Sequence, residues 1–270
     1  MADPLPRFSA SEAHTARDVA ESFGTDAQRY DLTRPSYPSS MVAAIRDGID
    51  GPDVLDVGIG TGISARPFSE AGCRLLGIEP DERMAQFARN HGFEVEVAKF
   101  EEWDPRARRF DGVIAGQSWH WVDPVGGAAK AARVLRPGGL LAVFWNVFLP
   151  PRDLAVAFSE VYRREVPESP FALGTTLGIE GYSQFFAKAR DGMRQAGAFS
   201  EPRQQRFDWD RSYSKDEWLD QVPTFGGHSL IPPNQMKRLL QGVGSEIDAV
   251  GGSFVMGYAA IVVMATLATR

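Results

Sequence analysis

Two acids and three glycines are the residues best suited to chemistry in this chain. Asp56 nearly closes an apolar run, Val54-Leu55-Asp56-Val57, and Gly58, Gly60 and Gly62 follow at once. Glu79 closes a second apolar run, Leu75-Leu76-Gly77-Ile78, twenty-three residues after Asp56. Glycines between a strand and a helix let a ligand approach bare backbone, because no Cβ stands in the way. An acid at the end of the next strand can accept hydrogen bonds from both hydroxyls of a ribose. The pattern predicts a nucleoside-containing ligand, with Ile63, Ala65, Phe68 and Ala71 on the inner face of the helix after the turn.

The residues around the turn narrow the ligand. A dinucleotide fingerprint needs its third glycine at 63, where this chain has Ile. A carboxylate at Asp56 would repel a pyrophosphate and would suit a cation such as a sulfonium or an ammonium group.

Taken together, these segments resemble the class I S-adenosylmethionine-dependent methyltransferases. Leu55-Asp56-Val57-Gly58-Ile59-Gly60-Thr61-Gly62 is similar to that family's first motif, and Gly77-Ile78-Glu79-Pro80-Asp81-Glu82-Arg83-Met84 to its second. Phe110–Gln117 resembles its fourth strand, and Val134–Leu141 the turn into its fifth. The Tyr30–Pro38 stretch and Gln117-Ser118-Trp119-His120-Trp121 are similar to small-molecule enzymes of the trans-aconitate methyltransferase-like group. The resemblance covers most of the chain. It implies a doubly wound, seven-stranded, mostly parallel sheet with a helical insertion forming a substrate lid. It also implies S-adenosyl-L-methionine as cofactor, S-adenosyl-L-homocysteine as product, and no metal.

The resemblance also distributes roles. Gly58 and Gly60 let the chain pass close to the cofactor. Asp56 lies near the cofactor's amino group, or caps the turn, or both. Glu79 binds the ribose hydroxyls, and Pro80 and Met84 pack on the adenine. The backbone amide of Phe100 reaches the adenine ring, and Glu101 accepts from its amino group. Lys99 departs from the small or acidic residue usual at that position in the family. Tyr30 and Arg34 fold over the amino-acid end, where a guanidinium can hold a carboxylate bidentately. Gln117 offers its backbone carbonyl to the cofactor ammonium. His120, between two tryptophans, is the expected catalytic residue, as general base or as a partner that orients the acceptor. Burial among indoles would keep it neutral. His228 is a weaker substrate-site candidate.

Composition sets the outer limits. The chain has 270 residues with 43% apolar content, enough for one α/β domain with an insertion. Its net charge is −6, and Arg106, Arg108 and Arg109 stand among acids, so nucleic acid is not the expected partner. A single cysteine, Cys73, excludes an internal disulfide and reads as a small core residue in a reducing, cytoplasmic setting. His14, His91, His120 and His228 show no metal-ligand spacing. No secretory signal is expected, and the apolar run Tyr258–Ala268 is shorter than the ~20 residues of a membrane span. The expected assembly is a monomer or homodimer acting on a small-molecule acceptor.

The elements that must position these residues follow from patterning. Residues 1–14 read as a disordered tail, and Thr15–Phe23 as helical. Residues 15–147 form the cofactor-binding core with its N-terminal cap segment, and strand–helix alternation runs from Met41 to about Asn146. Such alternation predicts helices on both faces of the sheet, with the strand ends at Asp56, Glu79, Lys99 and Gln117 meeting at one cleft. Residues 148–205 break the rhythm with Pro150-Pro151, helical stretches at 154–165 and 182–196, and many aromatics, and are read as the substrate cap. Residues 206–270 return to the sheet, with a capping box at Ser214–Glu217, a helix after Pro232-Pro233 and a final strand or strand pair from Phe254 to Leu267.

O-methylation of a carboxylate or hydroxyl is the favoured activity. An N- or C-methyltransferase of a secondary metabolite is the alternative, as is a catalytically silent cofactor-binding protein. A nicotinamide-dependent oxidoreductase is disfavoured by Ile63 and Asp56. A protein or RNA methyltransferase is disfavoured by the acidic balance.

Overall fold

The computed structural model describes residues 22–173 and 178–269. The expected tail at 1–14 and most of the expected helix at 15–23 lie outside them. The sheet has seven strands in the order β3-β2-β1-β4-β5-β7-β6. They are β1 Asp53–Val57, β2 Arg74–Glu79, β3 Glu94–Val97, β4 Phe110–Gly116, β5 Leu135–Leu149, β6 Arg203–Ser214 and β7 Ser253–Thr266. Strand order reverses between β1 and β4, the switch point at which open α/β sheets bind ligands.

The first five strands pair in parallel, with Asp56 beside Gly77 and Ile114, and Glu79 beside Val97. Their inner residues are buried on both faces, as parallel strands covered by helices must be. The last strand in the chain, β7, runs the other way. The Leu267 amide donates to Gly139 O at 2.8 Å, and Leu149 O lies against Gly257, so rising numbers on β5 meet falling numbers on β7. Beside β6, Phe199 and Leu267 form an antiparallel bridge. The sheet is therefore mixed and mostly parallel, as the motifs predict.

The helices, in chain order, are α1 Ala27–Thr33, α2 Ser39–Arg46, α3 Ala65–Glu70, α4 Glu82–Asn90, α5 Pro124–Val134, α6 Arg152–Glu165, α7 Ile179–Gln195, α8 Lys215–Gln221 and α9 Pro233–Ala249. Their starts carry physical signals. Asp81 caps α4 through the Arg83 amide, and Asp123 caps α5 ahead of a proline at its first position. The Ser214–Glu217 capping box opens α8 as expected. One expectation shifts: α3 begins at Ala65, so Ile63 is half-buried and Ala71, past its end, is exposed. Ala65 and Phe68 are fully buried. Among the described residues, no helix is long and apolar enough to cross a membrane.

Contacts divide the chain into two units. One, here the glycine-turn unit, comprises Pro35–Asn146, Phe185–Phe207 and Ala260–Arg270. Under its glycine turn, Ile59, Ala65, Ala85, Ala88 and Val95 pack together. The other, the aromatic unit, comprises residues to Arg34, Val147–Gln184 and Asp208–Ala259. Its core is built on Phe148, Phe158, Tyr162, Tyr213, Trp218, Phe225, Phe254 and Tyr258, with aliphatic residues of α6 and α9. The expected cap segment 148–205 is thus divided, with its first part in the aromatic unit and Phe185 onward in the glycine-turn unit. Cys73 is buried, as read from the sequence.

Candidate active site

The glycine turn is tied to the end of β2. The amides of Gly58 and Ile59 donate to Ile78 O at 2.7 and 3.2 Å. Gly58 has φ +71°, and a Cβ there would lie 2.5 Å from Ser118 Cβ, so only glycine fits. The Ser118 hydroxyl in turn donates to Val57 O, joining the end of β1 to the segment after β4. Gly60 has φ +58°, and a Cβ there would meet only Met84 Cε, at 3.9 Å. Side-chain atoms therefore leave the backbone at Gly60 open.

Both acids sit at this turn and both are buried. Asp56 Oδ2 accepts from the Ser64 hydroxyl at 2.9 Å, while Oδ1 finds no hydrogen-bond partner among the described residues. Burial pushes its carboxyl up to about 7, against the Ser64 hydrogen bond and with added repulsion from Glu79. Glu79 is held by two backbone amides, Gly60 N on Oε2 at 2.9 Å and Asp81 N on Oε1 at 3.0 Å. Burial raises it to about 7 as well, the two amides opposing the shift and Asp81 adding to it. A carboxylate has about four lone-pair sites, so two amide bonds fix its orientation and leave capacity for a ligand. Thr61 Oγ1, in the turn itself, is also buried without a partner among the described residues. A ligand with cationic and hydroxyl groups matches these unfilled acceptors.

The remaining sequence-predicted residues fall into three sets. Around the adenine-side expectations, Pro80 is exposed, Met84 is buried beside Gly60, and the Phe100 ring is buried next to Trp103 and Trp119. The exposed Glu101 accepts from Asp123 N at 2.9 Å, and Lys99 pairs with Glu102 on the surface. Lys130, buried on α5, donates to the backbone carbonyls of Trp103 and Glu101 and so pins this loop. Burial lowers its pKa. Its clamping role was not legible in the sequence, where a lysine amid alanines reads as a solvated helix face.

At the end of β4, Gln117 adopts the left-handed φ of +53°, and its amide and side chain bond to Phe144 O and Asn146 O. A non-glycine residue held in that region stores strain that its surroundings must offset. His120 follows, its ring 4.7 Å from the rings of both Trp121 and Phe185. Its Nδ1 receives a hydrogen bond from the indole Nε1 of Trp145 at 3.2 Å. Burial lowers the imidazole pKa to about 3, and although the residue keeps some exposed surface, it is neutral at physiological pH. In the same unit, Asn146 Nδ2 donates to Ser36 O, and the Tyr37 ring meets Phe144 edge-on at 4.8 Å. These contacts fasten the Pro35–Pro38 stretch beside Gly116, where Tyr37 Oη and Ser64 both approach. Ser118 and Tyr37 lie within the motif segments at 117–121 and 30–38 without a role assigned there, and Ser64 and Trp145 carry no motif signal, so only the fold identifies these four contacts.

Tyr30, Arg34 and His228 belong to the aromatic unit. The Nε–Nη2 edge of Arg34 faces Thr224, bonding its Oγ1 at 3.1 Å and its carbonyl at 2.6 Å, and the guanidinium lies over the rings of Tyr30 and Phe225. His228 is buried against Tyr162, Phe171 and Phe225, with Nδ1 donating to Val222 O. Burial holds its pKa near 4. Among the described residues, no cluster of His, Cys, Asp and Glu could hold a metal ion.

A mixed sheet with its switch point beside a glycine turn, one buried acid in the strand just before the turn and a second ending the next strand define an α/β protein of the class I methyltransferase type. Residues 55–143 match the family described as a methyltransferase domain. An uncharacterized methyltransferase of Mycobacterium tuberculosis (strain ATCC 25618 / H37Rv) is 36% identical over 138 residues, which are 48% of this chain and 54% of that protein. The chain thus spans about half the length of such curated relatives. A demethylmenaquinone methyltransferase of Tropheryma whipplei (strain Twist) is 32% identical over 170 residues, 57% of this chain and 68% of that protein. A solved structure described as a type II methyltransferase, from Anaeromyxobacter dehalogenans, shares the fold with TM-score 0.65 and 17% identity, over 88% of this chain and 99% of that one. The chain belongs to the methyltransferase family.

Proposed function

We propose that this protein transfers a methyl group from S-adenosyl-L-methionine to an oxygen, carboxylate or hydroxyl, of a small-molecule acceptor. The observation that carries the reading is the buried, unpartnered Oδ1 of Asp56 beside a glycine turn whose backbone is open at Gly60. A buried carboxyl without a partner is costly when ionised, and a cationic ligand removes that cost. Glu79, pre-oriented by two amides, is the ribose acceptor, and Met84 offers apolar surface next to Gly60. The bound cofactor would supply an electrophilic methyl on a positively charged sulfur.

The chain's own part is to orient and to exclude water. His120, just after β4 and beside Trp121, Phe185 and Trp145, would meet the acceptor. Positioning of this kind supplies much of the acceleration of a displacement reaction. Gln117 and Ser118 fix the backbone that carries it, through Asn146 O and Val57 O. Calorimetry tests the reading. Saturable binding of adenosylmethionine and adenosylhomocysteine, with none of NAD, is the expected result, and the reverse pattern would refute it.

A further inference from the structure

The hydrogen bond between Trp145 and His120 has one possible direction. An indole Nε1–H donates and cannot accept. His120 Nδ1, at 3.2 Å from it, is therefore the acceptor and carries no proton. A neutral imidazole has one N–H, so the proton sits on Nε2. We infer that Trp145 is a positioning residue that locks His120 into the tautomer with the proton on Nε2, so that His120 donates a hydrogen bond to the acceptor and does not remove a proton from it. The inference rests on the methyl-transfer reading for its consequence, but the tautomer stands on the Trp145 contact alone.

The surroundings reinforce the lock. Trp145 is fully buried in β5, its indole packed 5.3 Å from the ring of Phe186, so it has little freedom to turn its N–H elsewhere. For His120 to act as a base, a proton would have to arrive at Nδ1, where it would face the indole N–H inside an aromatic enclosure. That arrangement replaces a hydrogen bond by two opposed donors. The depressed basicity of the ring, caused by burial, agrees with this.

The consequence concerns the acceptor. An oxygen that already holds a free lone pair and no proton to lose needs a donor beside it, not a base. In the transfer, the acceptor oxygen's lone pair forms the new bond to the methyl carbon, and the sulfur keeps the electron pair of the bond that breaks. An ionised acceptor and a sulfonium then give two neutral products with no proton left over. Between the two oxygen acceptors of the proposed function, the ionised carboxylate fits this site, since one oxygen can take the Nε2–H while the other attacks.

Nitrogen-15 NMR of histidine-labelled protein reads the tautomer directly, without any ligand. His120 should show a protonated Nε2 and a bare Nδ1 from pH 5 to 8, and Trp145→Phe should give a mixture of tautomers. A proton on Nδ1 in the parent protein would overturn the inference, and so would an unchanged tautomer in a folded Trp145→Phe variant. Turnover gives the second arm. Glutamine can donate from its amide but cannot serve as a base, so His120→Gln should keep at least about tenfold more turnover than His120→Ala, one charged hydrogen bond being worth roughly that much. Equal loss in the two variants would overturn the donor role. Failure to bind adenosylmethionine at all would instead refute the proposed function and leave the tautomer result standing.

Discussion

Replacing Asp56 with Asn should make the ligand-free protein more stable at pH 8 and a poorer binder of a cationic cofactor. Asn keeps the shape, and its carbonyl can still accept from Ser64, so the change removes charge rather than packing. The Asp56 carboxyl is displaced from 3.8 to about 7. At about 1.36 kcal/mol per pK unit, this corresponds to roughly 4 kcal/mol between its two protonation states in the fold. The sign follows from the direction of displacement. A raised carboxyl stabilises the fold in its protonated form, fully below pH ~4, and that contribution fades as pH rises through about 7. The two histidines work the other way, because their lowered pKa values contribute stability that is fully present above about pH 6.5 and is lost as pH falls from there through about 4 for His228 and about 3 for His120. The readout is therefore the difference between variant and parent, not either curve alone. Chemical denaturation at pH 4, 5, 6, 7 and 8 should show no gain at pH 4 and a gain growing to as much as ~4 kcal/mol by pH 8. Calorimetry with adenosylmethionine at pH 8 should show weakened binding of the same variant. A stability difference that does not change with pH, or a variant less stable than the parent at pH 8, would refute the account of Asp56 as an uncompensated buried acid.

Other outcomes follow from the same geometry. Glu79→Ala should weaken adenosylhomocysteine binding by roughly 1.5–3 kcal/mol, the scale of a charged hydrogen-bond partner, as measured by calorimetry. Gly58→Ala places a Cβ 2.5 Å from Ser118 Cβ at φ +71°. It should cost roughly 2–4 kcal/mol of stability from backbone strain and overpacking together, read from denaturation midpoints. If residues 148–205 act as a substrate cap, adenosylhomocysteine should slow their cleavage in limited proteolysis, and identical digestion with and without it would count against that role.

The local backbone chemistry was legible in the sequence by itself. Parallel strands buried on both faces must be continuous apolar runs, so β1, β2 and β4 announced themselves, and the acids at 56 and 79 stood out because they lie at or beside the carboxyl ends of β1 and β2, next to the glycine turn and the helix that follows. Gly58 and Gly60 were readable because a turn that needs positive φ leaves few choices of residue. The Ser214 capping box was readable because a cap involves only residues three apart. Tertiary structure decided what depends on residues distant in sequence. Ser64 and Ser118 became parts of the turn only when β1 and β4 paired. Arg34, expected at a ligand carboxylate, has its side edge on Thr224, 190 residues away. The sequence around His120 left open a base or a partner that orients the acceptor. The hydrogen bond that His120 receives comes from Trp145 on the next strand, a contact between residues 25 positions apart that the residues around His120 do not reveal.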